Sequence, residues 1–167
     1  MEIIYSFPPV ADSRSRVLIL GSMPGKESLR KRQYYGHAQN AFWPLMCAML
    51  EEPYNEDYDS RLDMLLRHGL ALWDVIQSCE RKSSLDSDIK NAVVNDFHNF
   101  FAKHNAIRHV FFNGQMAHNT FARHVGFHFE NIQFTKLGST SPAHAIKFEK
   151  RLKDWQQILT ILREEDE

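Results

Sequence analysis

The sequence predicts an α/β protein, a mostly parallel sheet held between two helical layers. Three observations predict it. Short apolar runs that end at Gly or at Asn-Gly recur along the chain. Stretches with the 3.6-residue period of a helix fall between those runs. The length, 167 residues without a low-complexity linker or repeat, suits one compact domain over residues 1–167 that is large enough to bury a real core.

The first strand is the clearest. Val17-Leu18-Ile19-Leu20 is continuously apolar and stops at Gly21, as expected of a parallel strand buried on both faces. Gly69 to Leu72 is a weaker second. Ile107 to Phe112 is a third, ending at Asn113-Gly114, and Ile132 to Leu137 a fourth, ending at Gly138. Helices fill the gaps. After Asn40, which stands where a cap belongs, Phe42, Leu45, Met46, Met49 and Leu50 keep helical spacing, and Pro44 is early enough to be tolerated. A helix around Asp96 to His104 buries Phe97, Phe100 and Phe101. Another follows Gly114 with Met116, Thr120 and Phe121 on one side. The last is read from a Ser141 cap with Pro142 in first position and a stripe of Phe148, Leu152, Trp155, Leu159 and Leu162. The order predicts a three-layer α/β/α fold with a four-stranded, mostly parallel sheet.

In such sheets ligands bind beyond the carboxyl ends of the strands. That rule gathers Gly21 to Gly25, Asp74, Asn113-Gly114 and Gly138 to His144 at one edge, although they lie far apart in sequence.

Composition narrows the function. With 43% hydrophobic and 25% charged residues and no apolar run of 18, the chain is expected to be soluble and to have no membrane partner. The N-terminus is not built like a signal peptide, and the two cysteines, Cys47 and Cys79, form no CxxC pair, so a reduced, cytoplasmic location is expected. Nine histidines include no HExxH or other spaced ligand set, so no metal and no cofactor are expected. A net charge of −1 argues against coating DNA through bulk charge. The charge is uneven, however: Lys26, Arg30, Lys31 and Arg32 cluster, while the tail Glu164 to Glu167 is acidic. A solvated helix surface accounts for the basic cluster as well as a DNA contact does.

Three segments carry chemistry. Gly21-Ser22-Met23-Pro24-Gly25 lets the backbone approach a ligand closely, with Met23 and Pro24 as an apolar surface. It is neither GxGxxG nor a Walker loop, so nucleotide triphosphate hydrolysis is not expected. Tyr34 to Trp43 packs four aromatics, His37 and Asn40 into ten residues. That composition supplies the stacking face and neutral polar groups that a pocket for an extruded base needs. Gly138-Ser139-Thr140-Ser141-Pro142-Ala143-His144-Ala145 sets three hydroxyls at the entrance of a helix, an anion site suited to DNA phosphate.

The stretches GSMPGKESLRKRQYYGHAQNAFWPLM, GLALWDVIQSCERKSSLDSDIKN, VFFNGQMA and GSTSPAHA, in that order, resemble the hypoxanthine-DNA glycosylase (DNA-deoxyinosine glycosylase) branch of the uracil-DNA glycosylase superfamily. The resemblance runs from about Val17 to the final helix. Mismatch-specific uracil-DNA glycosylases are more distant, sharing the GxxPG turn and the Asn-x-Phe-Trp element. The resemblance implies the superfamily fold, a substrate of double-stranded DNA containing a deaminated base, and cleavage of the N-glycosidic bond in base excision repair without strand cleavage.

By position, the resemblance makes Asn40 the polar catalytic residue and Phe42 the aromatic that stacks on the flipped base; Tyr34 or Tyr35 is expected nearby, Tyr35 as a base-binding residue. Gly21, Ser22 and Met23 belong to the first active-site motif and the base pocket, with Gly25 and Lys26 on the DNA side. Ser139, Thr140, Ser141 and His144 match the loop that grips DNA, and Asn113 is placed to read the base edge. Met23 stands where some members carry a water-positioning Asn or Asp, and Ala38 where relatives often have Pro. Two other readings stay open: a non-catalytic α/β module binding nucleotides or single-stranded DNA, and a uracil- or mismatch-preferring glycosylase. Hypoxanthine, xanthine and uracil all carry a carbonyl next to an N–H. A monomer is the expected state of a short enzyme that must close on DNA.

Overall fold

A computed structural model describes residues 2–165, so Asp166 and Glu167 of the acidic tail lie outside it. Seven strands, β1 (Ile3–Tyr5), β2 (Val17–Gly21), β3 (Leu70–Asp74), β4 (Ile76–Glu80), β5 (Lys90–Val94), β6 (His109–Asn113) and β7 (Gln133–Leu137), alternate with six α-helices. The helices are α1 (Lys26–Lys31), α2 (Phe42–Leu50), α3 (Tyr58–Arg67), α4 (Phe97–Lys103), α5 (Gln115–His124) and α6 (Phe148–Glu165).

The principal sheet has the order β3-β2-β6-β7 and is parallel throughout. Its strands are those the sequence predicts, shifted by a residue or two. The pleat divides β2 between two cores. Val17 and Ile19 face a cluster built with Leu70, Leu72 and Phe111 and closed by α2, α3 and α6. Leu18 and Leu20 face Trp73, Val110 and Phe112 beneath α4 and α5. Every residue of β2 is buried, which is why its sequence is a continuous apolar run without alternation.

Several helix ends obey their local chemistry. Asp96 caps α4, its carboxylate accepting from the Asn99 N–H at 3.1 Å, and Asp57 caps α3 through Ser60 in the same way. The last helix corrects the expectation. It starts at Phe148, seven residues after Ser141, and residues 141–147 form bends, a turn and irregular backbone. Phe148 is consequently exposed, and Trp155, Ile158 and Leu162 form the buried stripe.

The other departure is a second, antiparallel sheet of order β1-β4-β5, which follows β3 after a single residue. Three short strands of mixed burial carry little hydrophobic period of their own. They pair with one another over a small cluster of Ile4, Ile76, Cys79 and Ile89, and the sheet is tied to the turn after β2: the Val75 N–H donates to the Gly21 carbonyl and the Ile76 N–H to that of Ser22. Those bonds seat the β4–β5 connection over the end of β2.

Candidate active site

The chain passes from β2 to β3 on one side and later to β6 on the other, so the order of the sheet reverses at β2. A crevice opens at such a reversal, outside the carboxyl ends. A cleft of about 490 Å³ lies there, within the range of small-ligand sites, roughly 300–1,000 Å³. Its walls are the turn at Gly21–Gly25, the segment from Tyr34 to Asn40, Asp74, the rim Ser84–Asp86, Asn113 and the loop Ser139–His144. Every site residue predicted from the sequence lines it except Phe42.

Phe42 is fully buried. As the first residue of α2 it points inward, edge-on to Trp43 and Trp155. Its face toward the cleft is covered by Tyr35, with ring centroids 4.0 Å apart and planes 21° from parallel. In this structure the aromatic surface presented to the cleft is Tyr35 and not Phe42. Tyr35 sits in left-handed backbone, φ 54°, between two pinned neighbours. The Tyr34 N–H donates to Tyr58 Oη at 2.9 Å, its carbonyl accepts from Trp43 Nε1 at 2.9 Å, and the Gly36 N–H donates to Ser28 Oγ at 2.9 Å. A bulky side chain in that conformation costs about 1–3 kcal/mol.

Asn40 is oriented by the start of α2. Its Oδ1 accepts from the Phe42 N–H at 2.9 Å, although Ala41 is the residue at the cap position itself. Because the Phe42 N–H is a donor, the atom facing it must be the amide oxygen, which leaves the NH₂ as the end available to a ligand. The Ala41 N–H donates to the Thr140 carbonyl at 3.0 Å, tying this segment to the loop across the cleft.

Asp74 ends β3 and is 4% exposed. Its Oδ1 stands so close to Gly21 that a Cβ on residue 21 would lie 2.6 Å from it and 3.0 Å from Tyr35 Oη. Only glycine fits there. Asp74 Oδ2 is sealed and has no hydrogen-bond partner. Burial pushes this carboxyl up to about 7, and the negative charge of Asp86 adds to the shift against the pull of Arg81. The sequence marks Asp74 only as an acid at a strand end; its isolation comes from tertiary packing.

Asn113 ends β6, and both ends of its amide are occupied. Nδ2 donates to Thr140 Oγ1 and Oδ1 accepts from the Thr140 N–H, each at 2.9 Å. Its visible role is to hold the loop; one N–H and one lone pair of the amide remain beyond those two bonds, at the wall of the cleft. Helix α6 holds the same loop from behind. Arg151 donates through Nε to the Ser139 carbonyl at 3.2 Å and through Nη2 to that of His144 at 2.7 Å. Trp155 Nε1 donates to the Gly138 carbonyl at 3.0 Å. Gly114, at φ 99°, lets the loop approach: a Cβ there would meet that of Ser139 at 3.1 Å.

The anion site expected at a helix entrance changes character, because no helix begins at Ser141. The N–H groups of Thr140, Ser141, Ala143 and His144 are spent on Asn113 Oδ1, Ser139 Oγ, Ser141 Oγ and the Ser141 carbonyl. What the loop offers is side chains: Ser139 and Ser141 are part-exposed, His144 is exposed, and Thr140 is buried as the anchor.

Met23 is 7% exposed and packs down on Ile76 and Cys79, so it supplies little of the expected apolar surface. The rim opposite the loop comes from the β4–β5 connection, which has no sequence signal. The Lys26 N–H donates to Ser84 Oγ and Ser22 Oγ donates to Asp86 Oδ1, both at 2.8 Å. The basic cluster is partly neutralised on α1: Glu27 pairs with Arg30 at 2.5 Å and Lys31 at 3.7 Å, leaving Lys26 as the lysine lining the cleft. No group of three His, Cys, Asp or Glu side chains that could hold a metal occurs among the described residues.

Comparison with known proteins fits this geometry. The family model of the Uracil DNA glycosylase superfamily matches residues 8–163. The chain is 40% identical over 110 residues to a protein of Methanosarcina barkeri named hypoxanthine DNA glycosylase, covering 65% of this chain and 70% of the relative. It is 33% identical over 155 residues to a protein of the same name from Methanosarcina acetivorans, covering 91% and 95%. A solution NMR structure of a candidate uracil DNA glycosylase from M. acetivorans superposes with a TM-score of 0.81 at 32% identity, covering 97% of this chain and 99% of that one.

Proposed function

The chain belongs to the uracil DNA glycosylase superfamily, and from that premise we propose that it hydrolyses the N-glycosidic bond of deaminated bases in duplex DNA, hypoxanthine foremost. The observation that carries this reading is Asn40, whose amide is turned by the Phe42 N–H so that its NH₂ is free beside the cleft.

The target base must first leave the helical stack, at a cost of a few kcal/mol that is smaller for a poorly paired, deaminated base. As the glycosidic bond lengthens, negative charge gathers on the departing base and positive charge on the sugar. The Asn40 NH₂ donates to the base as that charge develops, and it is aimed before the reaction starts. An amide does not ionise near neutral pH, so Asn40 stabilises charge or orients water and is not a strong base. Asp74 supports the substrate class. Held near pH 7 largely by burial, it is in part a neutral acid, one donor and one acceptor, which complements the adjacent carbonyl and N–H of hypoxanthine. Ser139, Ser141, His144 and Lys26 edge the cleft where the DNA backbone approaches, a small footprint compatible with a net charge of −1. The enzyme acts as a monomer in the cytoplasm and leaves an abasic strand uncut.

Single-turnover base release from duplexes carrying hypoxanthine, xanthine or uracil tests this, with Asn40→Ala beside the native protein and without alkali in the work-up. The expected result is preferential release of hypoxanthine from an uncut strand, slowed in the variant by about 2–4 kcal/mol of transition-state stabilisation, the worth of one preorganised donor. Near-native rates for Asn40→Ala would remove Asn40 from catalysis. Release of uracil alone would overturn the substrate, and DNA binding without release of any base would overturn the enzyme reading.

A further inference from the structure

We propose that Tyr35 is a resident occupant of the base subsite, and that an incoming base must displace it by rotation of its side chain; this rests on the glycosylase reading above. The ring lies flat on Phe42 at 4.0 Å, the position and orientation that a stacked base would take. Its hydroxyl reaches the polar floor at the strand ends, where a Cβ on Gly21 would come within 3.0 Å of it. Asp74 acts on it electrostatically and the Asn113 amide lies beside it. A planar ring stacked on an aromatic, with its polar edge turned to a carboxyl and an amide, is what the cleft would do with a lactam base. Tyr35 makes those contacts with its own ring and hydroxyl.

The fit is imperfect in a way that favours release. The hydroxyl is sealed from solvent without a well-formed hydrogen bond. Backbone bonds on both sides, Tyr34 to Tyr58 and Gly36 to Ser28, pin the flanks, so side-chain rotation frees the site without moving the loop. The consequence is a threshold for entry. A base gains the floor only if its own stacking on Phe42 and its edge contacts exceed those of Tyr35. A two-ring lactam meets that threshold more readily than a base lacking either feature. Tyr35 therefore sets selectivity without taking part in bond cleavage.

The test labels the tyrosines with 3-fluorotyrosine and follows ¹⁹F resonances of the native chain on addition of free hypoxanthine, with Tyr35→Phe identifying the Tyr35 signal. Displacement moves that signal toward the solvent-exposed position. In parallel, Tyr35→Ala binds hypoxanthine more tightly by on the order of tenfold, as expected when a plug seated in about nine molecules of ten is removed. Its preference for hypoxanthine over adenine, which lacks the lactam edge, and over the one-ring bases falls in single-turnover release. An unmoved Tyr35 signal at saturating hypoxanthine overturns the proposal, as does weaker base binding by Tyr35→Ala, the mark of a fixed wall. The ¹⁹F measurement on the native chain decides the matter even where Tyr35→Ala folds poorly. Base release by the native protein is scored separately, so loss of the glycosylase reading and loss of the plug give different results.

Discussion

Replacing Asp74 by asparagine keeps the shape of the side chain and removes its titration. In the fold, burial chiefly, with the charge of Asp86, raises the carboxyl from an ordinary 3.8 to about 7. The folded protein therefore holds this proton more tightly than the unfolded chain does, and protonation favours folding. The contribution is complete below about pH 4, shrinks as the unfolded chain ionises, and is gone once pH passes the folded value near 7. At about 1.4 kcal/mol for each pH unit between the two values, the whole window carries at most about 4 kcal/mol. Urea unfolding of native protein and Asp74→Asn at pH 4 to 8 measures it. The difference in stability, native minus variant, is expected to fall from pH 4 to 7 and then level. A flat or rising difference would refute the isolation of this carboxyl. The variant still presents a donor and an acceptor, so base release is expected to persist, while the native enzyme loses activity as pH rises through about 7 and the variant does not.

Gly21→Ala places a methyl against Asp74 Oδ1 and Tyr35 Oη; we expect destabilisation of about 1–3 kcal/mol and a larger fall in base release than in melting temperature, measured on the same samples. Asn113→Ala removes two hydrogen bonds and strands the buried Thr140 N–H and hydroxyl, at a cost of about 2–4 kcal/mol. Chemical denaturation checks that value, and unchanged stability would deny Asn113 its anchoring role. Arg151→Ala frees the carbonyls of Ser139 and His144; the expected outcome is weaker binding to lesion-bearing duplex and faster hydrogen exchange confined to residues 138–144.

Strands β2 and β6 were legible because each is a buried apolar run stopped by a turn residue, β3 and β7 gave weaker runs, and the carboxyl ends of the four located the cleft before any contact was known. The Gly21–Gly25, Tyr34–Asn40 and Ser139–His144 segments were legible for the same reason: glycine, aromatic and hydroxyl residues concentrate there against local expectation. The second sheet was not. Its short strands are held by one another and by a small apolar cluster of residues distant in sequence, Ile4, Met23, Ile76, Cys79, Ile89 and Ala92, and with it the rim at Ser84–Asp86 stayed hidden.

What the sequence determined by itself was therefore the fold class, the family resemblance and the edge of the sheet on which the site lies, because periodicity and turn chemistry are local properties. Tertiary structure alone decided the roles within the site. It buried Phe42 under Tyr35, tied the Asn113 amide to Thr140, moved the start of α6 to Phe148 and enclosed Asp74 without a partner for one oxygen. Each of these depends on which side chains the fold brings into a shared space, and hydrogen bonding and desolvation act on that arrangement, which no stretch of sequence contains.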